Sequence, residues 1–317
     1  MDPVSHLLFG RTVALTVPHR STLNGMTAAL LIGSIAPDID AVLAFRGFDI
    51  YLRAHASGTH SLAGTVVESA LLASVLHRFV RESRFITLLV ASWVGMVGHI
   101  LCDIADDGDI AVFRPFSDTF IGWHLFPMGD PVVVAVLAAT VLVAWRWAQR
   151  PRYIAAGALI GLGCLAGAKL GSQQWAIASY RNAVARDGAS VLDIGPTFDP
   201  FGWMIYDRAG DRVRGWRVDA RNGRTALAFE RRDRTDTSLV DASRSLPVVS
   251  RFLSFARIPF ARVEAGSGRA LVLWSDARWC STDRCDLSFG GAFDASRAPL
   301  FQVIRIGSFT QQRSIER

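Results

Sequence analysis

Lysine is almost absent from this chain, because Lys169 is the only one although lysine and arginine together number 34. The formal net charge of +6 therefore comes almost entirely from arginine, and the arginines are scattered through the C-terminal half. They form no basic stripe with interleaved aromatic residues, which is the pattern typical of a nucleic-acid interface. We therefore expect no nucleic-acid partner.

Cysteine is also scarce, with four residues in a chain of 317. Cys102 and Cys164 lie in apolar segments, where a small buried side chain is the simplest interpretation. Cys280 and Cys285 are close enough in sequence to form a local disulfide if their segment is extracytoplasmic.

Long apolar runs are missing after about residue 170, whereas they dominate the part before it. The mean hydropathy of +0.27 is high for a soluble protein of this length. The first residues contain Asp2 and His6 in place of a basic region, so we expect no cleavable signal peptide. The pattern predicts a membrane-embedded region at 1–171, a helical linker at 172–190 and a soluble domain at 191–317.

Apolar segments in the first part predict about five to six membrane helices, at 4–17, 26–44, 60–80, 85–102, 131–144 and 153–170. The first segment is marginal for a hydrocarbon layer of ~30 Å. The last segment carries glycines at a spacing that favours close helix packing, namely Gly157, Gly161, Gly163 and Gly167.

The charge of the loops predicts how these segments are oriented across the membrane. Alternate loops are rich in arginine, and these residues are Arg20, Arg78, Arg81, Arg84, Arg146, Arg150 and Arg152. The positive-inside rule places those loops in the cytoplasm. With six crossings, both termini and the soluble domain are then expected on the extracytoplasmic side of the cell (inner) membrane.

Short alternating runs separated by turn residues such as Asn222-Gly223 characterise the second part. They predict strands at 203–206, 213–218, 226–229, 261–264, 270–274 and 301–306, with one helix near 246–255. We therefore expect an α-helical polytopic membrane domain followed by a small β-rich (α+β) soluble domain. The second part offers no catalytic set, and its simplest role is to shield or feed a site in the membrane.

The segment 93–117 begins as an apolar helix and ends as an acidic loop. His99 and Asp103 lie four residues apart there, and therefore on one helical face. Burying such groups is costly unless they are paired or bind a metal. The segment therefore predicts one wall of a metal site.

Other polar residues fall at the same end of the predicted helices. The predicted metal ligands are His6, Asp38, Asp40, His55, His60, His99 and Asp103. Pro37 is expected to open its helix there, and Thr59 and Ser61 to supply supporting hydrogen bonds. Glu68 follows His60 by two turns on the same face.

Imidazole and carboxylate ligands without cysteine suit zinc, manganese or iron. The ligands are too many for one tetrahedral ion and fit a two-metal site that activates water for hydrolysis. We therefore expect a divalent metal cofactor, one or two ions, with zinc or manganese first. We assign the general acid or base role to Glu68 or Asp40. Asp106, Asp107 and Asp109 are interpreted as a solvated acidic rim, His124 as an interfacial residue, and Asp130 as the N-cap of the helix that follows.

Several short motifs resemble, in order, the membrane-bound metal-dependent hydrolase family of bacteria and archaea. His6 within SHLLFG and the run GSIAPDID at 33–40 are similar to the start of that family. The segment HASGTHSL at 55–62 resembles its H-R-x-x-T-H-S element, with Ala56 in place of the arginine. His99 to Asp103 resembles its H-x-x-x-D, 114–117 its P-F-S, and 126–131 a later D-P element.

The resemblance covers roughly residues 1–150 and extends only loosely to 199–203. It departs at Asp107-Gly108-Asp109, where the longer members have an aromatic-glycine-threonine sequence. The resemblance implies a metal-dependent hydrolase of the membrane but no defined substrate.

We expect membrane lipids as partners and a lipid-linked ester or phosphoester as the substrate, because the ligands lie at the edge of the bilayer. Two alternatives stay open. A divalent-metal transporter or sensor would place its ligands near the midplane of repeated halves. In the second alternative the protein is structural, and the metal only holds short helices together.

Overall fold

The computed structural model describes residues 2–17, 24–55, 58–147, 149–184, 190–234, 237–266 and 269–315. The chain divides into two compact units, Met1–Gly171 and Ser172–Arg317. The predicted cytoplasmic loop with Arg20 lies outside the described residues, as does Ala56.

The first unit is built from helices. They are α1 (Pro3–Thr16), α2 (Asn24–Gly33), α3 (Phe48–His55), α4 (Leu62–Phe79), α5 (Phe85–Ala105), α6 (Pro131–Arg146) and α7 (Pro151–Ala183), with a 3₁₀ helix at Ala36–Phe45. Helix α7 runs past the boundary between the units, through most of the predicted linker.

Side-chain caps set the start of three of these helices. Asp2 accepts hydrogen bonds from the backbone amides of Val4 and Ser5 before α1, and Ser61 accepts one from Gly64 before α4. Asp130 accepts from the amide of Val132 at 2.8 Å, which confirms its predicted N-cap role before α6. Ser61 therefore caps a helix instead of supporting the metal site.

Fewer helices can cross a membrane than the sequence predicted. In the described part of the chain, only α4, α5 and α7 are long and apolar enough. A fourth span results if α2 and the 3₁₀ helix, which are bent by 45°, count as one. Helices α1 and α6 have 14 and 16 residues. At 1.5 Å per residue they are about 21 and 24 Å long, short of a ~30 Å hydrocarbon layer.

Glycines bring α2 and α5 into close contact. A Cβ atom on Gly95 would lie 2.5 Å from the carbonyl oxygen of Leu30, and one on Gly33 would lie 2.4 Å from that of Ser92. Small residues at such positions let two backbones approach. This contact fixes the bend after α2 against the C-terminal half of α5, where the predicted ligands begin.

The predicted close packing along α7 is wrong. A Cβ atom on Gly157, Gly161, Gly163 or Gly167 would have no described atom within 4 Å. Cys164 on the same helix is exposed, contrary to its predicted burial, whereas Cys102 on α5 is buried as predicted. No other described helix lies against this glycine face of α7, and the small residues there leave the helix surface open.

The second unit contains two antiparallel sheets. The first has the strands β1 (Ser190–Pro196), β2 (Gly202–Ala209), β3 (Arg212–Asp219) and β4 (Arg224–Arg232) in chain order. The second has β5 (Pro259–Gly266), β6 (Arg269–Asp276), β7 (Leu287–Asp294), β8 (Pro299–Ile306) and β9 (Phe309–Arg313), also in chain order. A helical first part followed by a β-rich second part is thus confirmed.

Along the chain, helices α8 (Ser238–Ser243) and α9 (Pro247–Leu253) lie between β4 and β5. Helix α9 matches the helix predicted near 246–255. All six predicted strands fall within observed ones, while β1, β7 and β9 were not predicted. Gly223 adopts a φ of +71° at the predicted Asn-Gly turn, a conformation that favours glycine. Cys280 and Cys285 form a disulfide.

Candidate metal centre

Two of the predicted ligands lie directly after the bend between α2 and the 3₁₀ helix. Ser34 and Ile35 separate the helices, and Pro37 lies in the first turn of the 3₁₀ helix, as expected of a proline that opens a helix. Asp38 and Asp40 follow in the same helix, with Asp40 buried. The bend therefore places two carboxylates within seven residues of the end of α2.

His99 and Asp103 meet on one face of α5, as their spacing predicts. His99 Nε2 lies 3.0 Å from Asp103 Oδ2. The other carboxylate oxygen, Oδ1, lies 3.1 Å from Nε2 of His6 on α1. The rings of His6 and His99 are stacked, with centroids 3.7 Å apart. Asp103 thus joins histidines from two helices, and all three residues are buried.

His60 completes this cluster from the turn before α4. Its Nε2 lies 3.1 Å from Nε2 of His99 and 3.5 Å from Asp103 Oδ2. Asp38 Oδ1 lies 3.6 Å from the Nε2 atoms of both His60 and His99. Helix α4 begins only at Leu62, so His60 is not on its face with Glu68 as the sequence predicted.

Hydrogen bonds assign the protonation of both central rings. His99 Nδ1 lies 2.8 Å from the carbonyl oxygen of Ser34, which can only accept, so His99 carries its proton on Nδ1. Thr59 donates its hydroxyl proton to Asp40 Oδ2 at 2.7 Å, and so accepts from His60 Nδ1 at 3.0 Å. In the neutral rings, the two Nε2 atoms that face each other therefore both carry lone pairs.

This arrangement fits a metal ion. Two lone pairs 3.1 Å apart make no hydrogen bond, but they can share a cation. Ligands 2.0–2.1 Å from one tetrahedral ion stand roughly 3.3 Å apart. In addition, Nδ1 of the buried His6 has no hydrogen-bond partner among the described residues, while its Nε2 faces Asp103. The donor set is imidazole and carboxylate, which suits zinc or manganese.

The ligand atoms form three overlapping groups. These groups are His6, Asp38 and His99; Asp38, His55 and His60; and His60, His99 and Asp103. Within each group the ligand atoms lie within 4.8 Å of one another. Six of the seven predicted ligands are thus brought together, from α1, the 3₁₀ helix, α3, the turn before α4, and α5.

Asp40, the seventh predicted ligand, is held by its neighbours. Its Oδ1 lies 2.9 Å from His55 Nδ1, and its Oδ2 accepts from Thr59. Both oxygens therefore orient other groups, and through Thr59 they fix the tautomer of His60. Such supporting hydrogen bonds orient metal-binding histidines and raise their basicity. Thr59 thus makes hydrogen bonds to the cluster, as the sequence predicted.

Glu68 is the remaining predicted site residue. None of the three groups includes it, although it interacts electrostatically with Asp40 and His99. Glu68 is half-buried on α4, and its Oε2 is buried without a hydrogen-bond partner in the described part of the chain. The geometry therefore places Glu68 as a neighbour of the ligand cluster and not as a ligand.

Tyr51 on α3 was missed in the sequence. Its ring lies 4.9 Å from that of His55. Burial raises the pKa of the phenol to about 12, with further contributions from the carboxylates of Asp40, Asp38 and Asp103. Tyr51 therefore keeps its proton at neutral pH and can donate a hydrogen bond. The only signal in the sequence was that Tyr51 follows Phe48 by three residues and precedes His55 by four, which places them on one helical face.

The acidic loop after α5 is only partly solvated, because Asp107 and Asp109 are half-buried and Asp106 is buried. Asp106 is buried, with only 3% of its surface exposed. His124, predicted to be interfacial, is also buried and lies between two carboxylates, with Nδ1 3.5 Å from Asp107 and Nε2 3.3 Å from Asp109. The loop therefore folds on itself beside the metal cluster, since Asp106 follows Asp103 by three residues.

Residues 1–176, more than half of the chain, match the family described as YdjM inner membrane protein. The chain belongs to the YdjM inner membrane protein family. The matched region contains every residue of the metal cluster and the helices that carry them. Membership supports an inner-membrane location, in agreement with the apolar helices of the first unit.

A more distant likeness is to the uncharacterized protein YfhP of Bacillus subtilis (strain 168). The two are 31% identical over 115 residues, which is 36% of this YdjM-family chain and 35% of YfhP. The match thus spans about a third of the length of that relative. No solved structure matches this chain.

Proposed function

We propose that this YdjM-family protein is a metal-dependent hydrolase that uses one or two divalent ions, zinc or manganese. The observation that carries the proposal is the 3.1 Å approach of the His60 and His99 Nε2 atoms, with Asp38 and Asp103 beside both. The resemblance of the motifs around these residues to membrane-bound hydrolases supports the same class of reaction.

In this proposal, the residues of the cluster bind the metal and other residues transfer protons. A bound divalent ion lowers the pKa of water to about 7 and so supplies a nucleophile near neutral pH. His60, His99 and Asp103 would hold one ion, and Asp38 belongs to the two other groups, those with His6 and with His55. Asp103 faces His6 with one oxygen and His60 and His99 with the other, so it would orient these three rings around a bound ion.

Proton transfer is assigned to Glu68 or Asp40. Glu68 has a buried oxygen without a partner among the described residues, so it is available to accept a proton from water. Both oxygens of Asp40 are engaged by His55 and Thr59, which favours Glu68 as the base. Tyr51 supplies a neutral donor for an anionic group of the substrate.

The substrate in this proposal is a lipid-linked ester or phosphoester, because the cluster lies at the ends of apolar helices. The proposal includes a multi-pass chain whose site and second unit face the extracytoplasmic side. The Cys280–Cys285 disulfide supports that orientation, since disulfides persist in oxidising compartments.

The first test is metal content per chain in protein purified after zinc or manganese supplementation. Wild type is expected to hold one or two equivalents, and the double variant His99→Ala, Asp103→Ala to lose them. His77→Ala, which removes a histidine bonded to the Ser83 carbonyl away from the cluster, is the control and should keep the metal. Wild-type protein that binds no metal under either supplementation would contradict the proposal.

The reaction itself needs a second test. Membranes that contain the metal-loaded wild type are compared with membranes that contain the double variant by untargeted lipidomics. Loss of an ester or phosphoester only with wild type supports hydrolysis. Metal flux in proteoliposomes would instead indicate a transporter. Unfolding of the first unit after chelation, with no lipid turned over, would indicate a structural staple.

A further inference from the structure

The loop between β1 and β2 in the second unit, residues 197–201, carries two exposed aromatic side chains. Phe198 is 66% exposed and Phe201 is 50% exposed, although phenylalanine is among the residues most often buried. Apolar residues exposed singly need no explanation, but two of them in one loop of five residues form an apolar tip. The loop includes most of the sequence DPFGW at 199–203, which the metal site does not use.

Hydrogen bonds fix this loop beside α7. Trp203, the second residue of β2, is buried and donates from its Nε1 atom to the hydroxyl oxygen of Ser172 at 2.9 Å. The amide of Thr197 donates to the carbonyl oxygen of Gly202 at 3.2 Å, and the amide of Gly202 donates to that of Asp199 at 2.8 Å. The second unit, which begins at Ser172, therefore holds the closed loop against the start of its own helical segment.

Ser172 lies where α7 changes from apolar to polar. The apolar segment 153–170 ends two residues before it, and two glutamines follow it. Helix α7 is long and apolar enough to cross the membrane, and it continues without a break to Ala183. The level of Ser172 is therefore the headgroup region, where α7 leaves the hydrocarbon. Trp175, three residues later, is exposed, and tryptophan is enriched at this level of membrane proteins.

The charged groups at this tip are paired with one another. Asp199 accepts hydrogen bonds from the amide of Phe201 at 3.1 Å and from Arg221 at 3.0 Å, so both of its carboxylate oxygens are engaged. Arg221 also donates to Asp219 at 2.9 Å, and its guanidinium lies over the ring of Phe201, 5.5 Å from the centroid. An unpaired carboxylate is costly to bring near hydrocarbon, and the pairing reduces that cost. Phe198 is then the most exposed apolar side chain of the loop.

We propose that the loop 197–201 inserts Phe198 and Phe201 into the lipid surface of the membrane that α7 crosses. The occupant of this apolar tip is a lipid headgroup region, because the loop is bonded to α7 at the residue where that helix leaves the hydrocarbon. Aromatic side chains beside paired charges suit this region, which is apolar on one side and wet on the other. The contact restrains the second unit at the membrane surface. It depends neither on the metal cluster nor on the side of the membrane that the second unit faces.

Photo-cross-linking of the full chain in vesicles of phosphatidylethanolamine and phosphatidylglycerol tests this contact. The photoreactive residue p-benzoylphenylalanine replaces Phe198, Phe201, Leu170 or Phe309, one position in each variant. Phe309 on β9 is the matched control, because it is 62% exposed and belongs to the other sheet. Leu170, an exposed residue at the end of the apolar part of α7, is the positive control. Mass spectrometry measures the lipid adduct after illumination, and the unfolding temperature shows that each variant is folded.

Position 198 is expected to give about tenfold or more lipid adduct than position 309, because transfer of a phenylalanine ring from water into an apolar phase is favoured by about that factor. Position 201 should give less adduct than position 198, since its ring is covered in part by Arg221. Lipid adduct at position 170, with none above the level of position 309 at positions 198 and 201, overturns the proposal. Adducts from position 198 mainly to a second copy of this chain would assign the tip to a protein interface and overturn it as well.

Discussion

The Nε2 atoms of His60 and His99 approach to 3.1 Å, while the Nδ1 atom of each ring is bonded to a different partner, Thr59 for His60 and the Ser34 carbonyl for His99. The two rings come from elements separated by 39 residues. Their facing lone pairs could share a cation, and hydrogen bonds on the outer sides of the rings set the orientation of both rings. The groups on those outer sides therefore control metal affinity.

Thr59→Val is expected to weaken metal binding by about 10–100-fold, the usual effect of removing a supporting hydrogen bond. Valine cannot accept from His60 Nδ1, so the proton is free to occupy Nε2 and cover the lone pair. Metal competition with a chelating dye measures the affinity. Thr59→Ser keeps the hydroxyl and should bind as wild type does, whereas wild-type affinity in Thr59→Val would refute the assigned tautomer.

Gly95→Ala is expected to destabilise the first unit by about 1–3 kcal/mol, because the added Cβ lies 2.5 Å from the Leu30 carbonyl oxygen. Thermal unfolding in detergent measures the change. Gly161→Ala on α7 is the control, since nothing described lies within 4 Å of its added Cβ. The control should be neutral or more stable, because alanine is the better helix former. Equal behaviour of the two variants would contradict the close approach of α2 and α5.

Asp276 makes the second unit sensitive to acid. Burial alone would raise the pKa of this carboxyl, but Arg278 and the hydrogen bonds from Arg278 and Arg257 outweigh it and lower the pKa below its usual value. The contribution to stability is therefore complete above the unfolded pKa of about 3.9. It is lost as the pH falls through the lower pKa of the folded state.

Unfolding of the full chain between pH 7 and pH 2 tests this dependence. Asp276→Asn should reduce stability at neutral pH and flatten the acid dependence. Asp283→Asn, at an exposed position, is the control and should leave both unchanged. An acid dependence that is the same in wild type and in Asp276→Asn would rule out this role.

Thiol counting tests the compartment of the second unit. In membranes denatured without reductant, a maleimide should label two cysteines per chain, Cys102 and Cys164, and four after reduction. The variant Cys280→Ser, Cys285→Ser should give two under both conditions. Four labelled thiols without reduction would place the segment in a reducing compartment.

That the histidines and aspartates of the cluster come together could be predicted from the sequence to a large extent. His99 and Asp103 share a helical face by spacing alone, and polar residues in apolar helices are conspicuous because their burial is costly. The supporting geometry could not be predicted. Which oxygen of Asp40 meets Thr59, and which nitrogen of His60 remains open, depends on side-chain orientation that no spacing encodes.

The fold was predicted less completely, for identifiable reasons. Hydropathy marks apolar helices but not their ends, so α1 and α6 were counted as crossings despite their length. Strand β7 contains Gly290-Gly291, which weakens a strand pattern, and β9 is an exposed edge strand with polar residues. The glycines of α7 satisfied a packing motif without any described helix to pack against.

The candidate metal ligands come from five separate elements and extend from position 6 to position 103 of the chain. A cation bound there closes several long loops at once, so binding and folding of the first unit are thermodynamically linked. If the proposed ion binds there, its acquisition would be a step in the biogenesis of the protein, and the amount of folded chain in the membrane would follow the supply of metal to the cell.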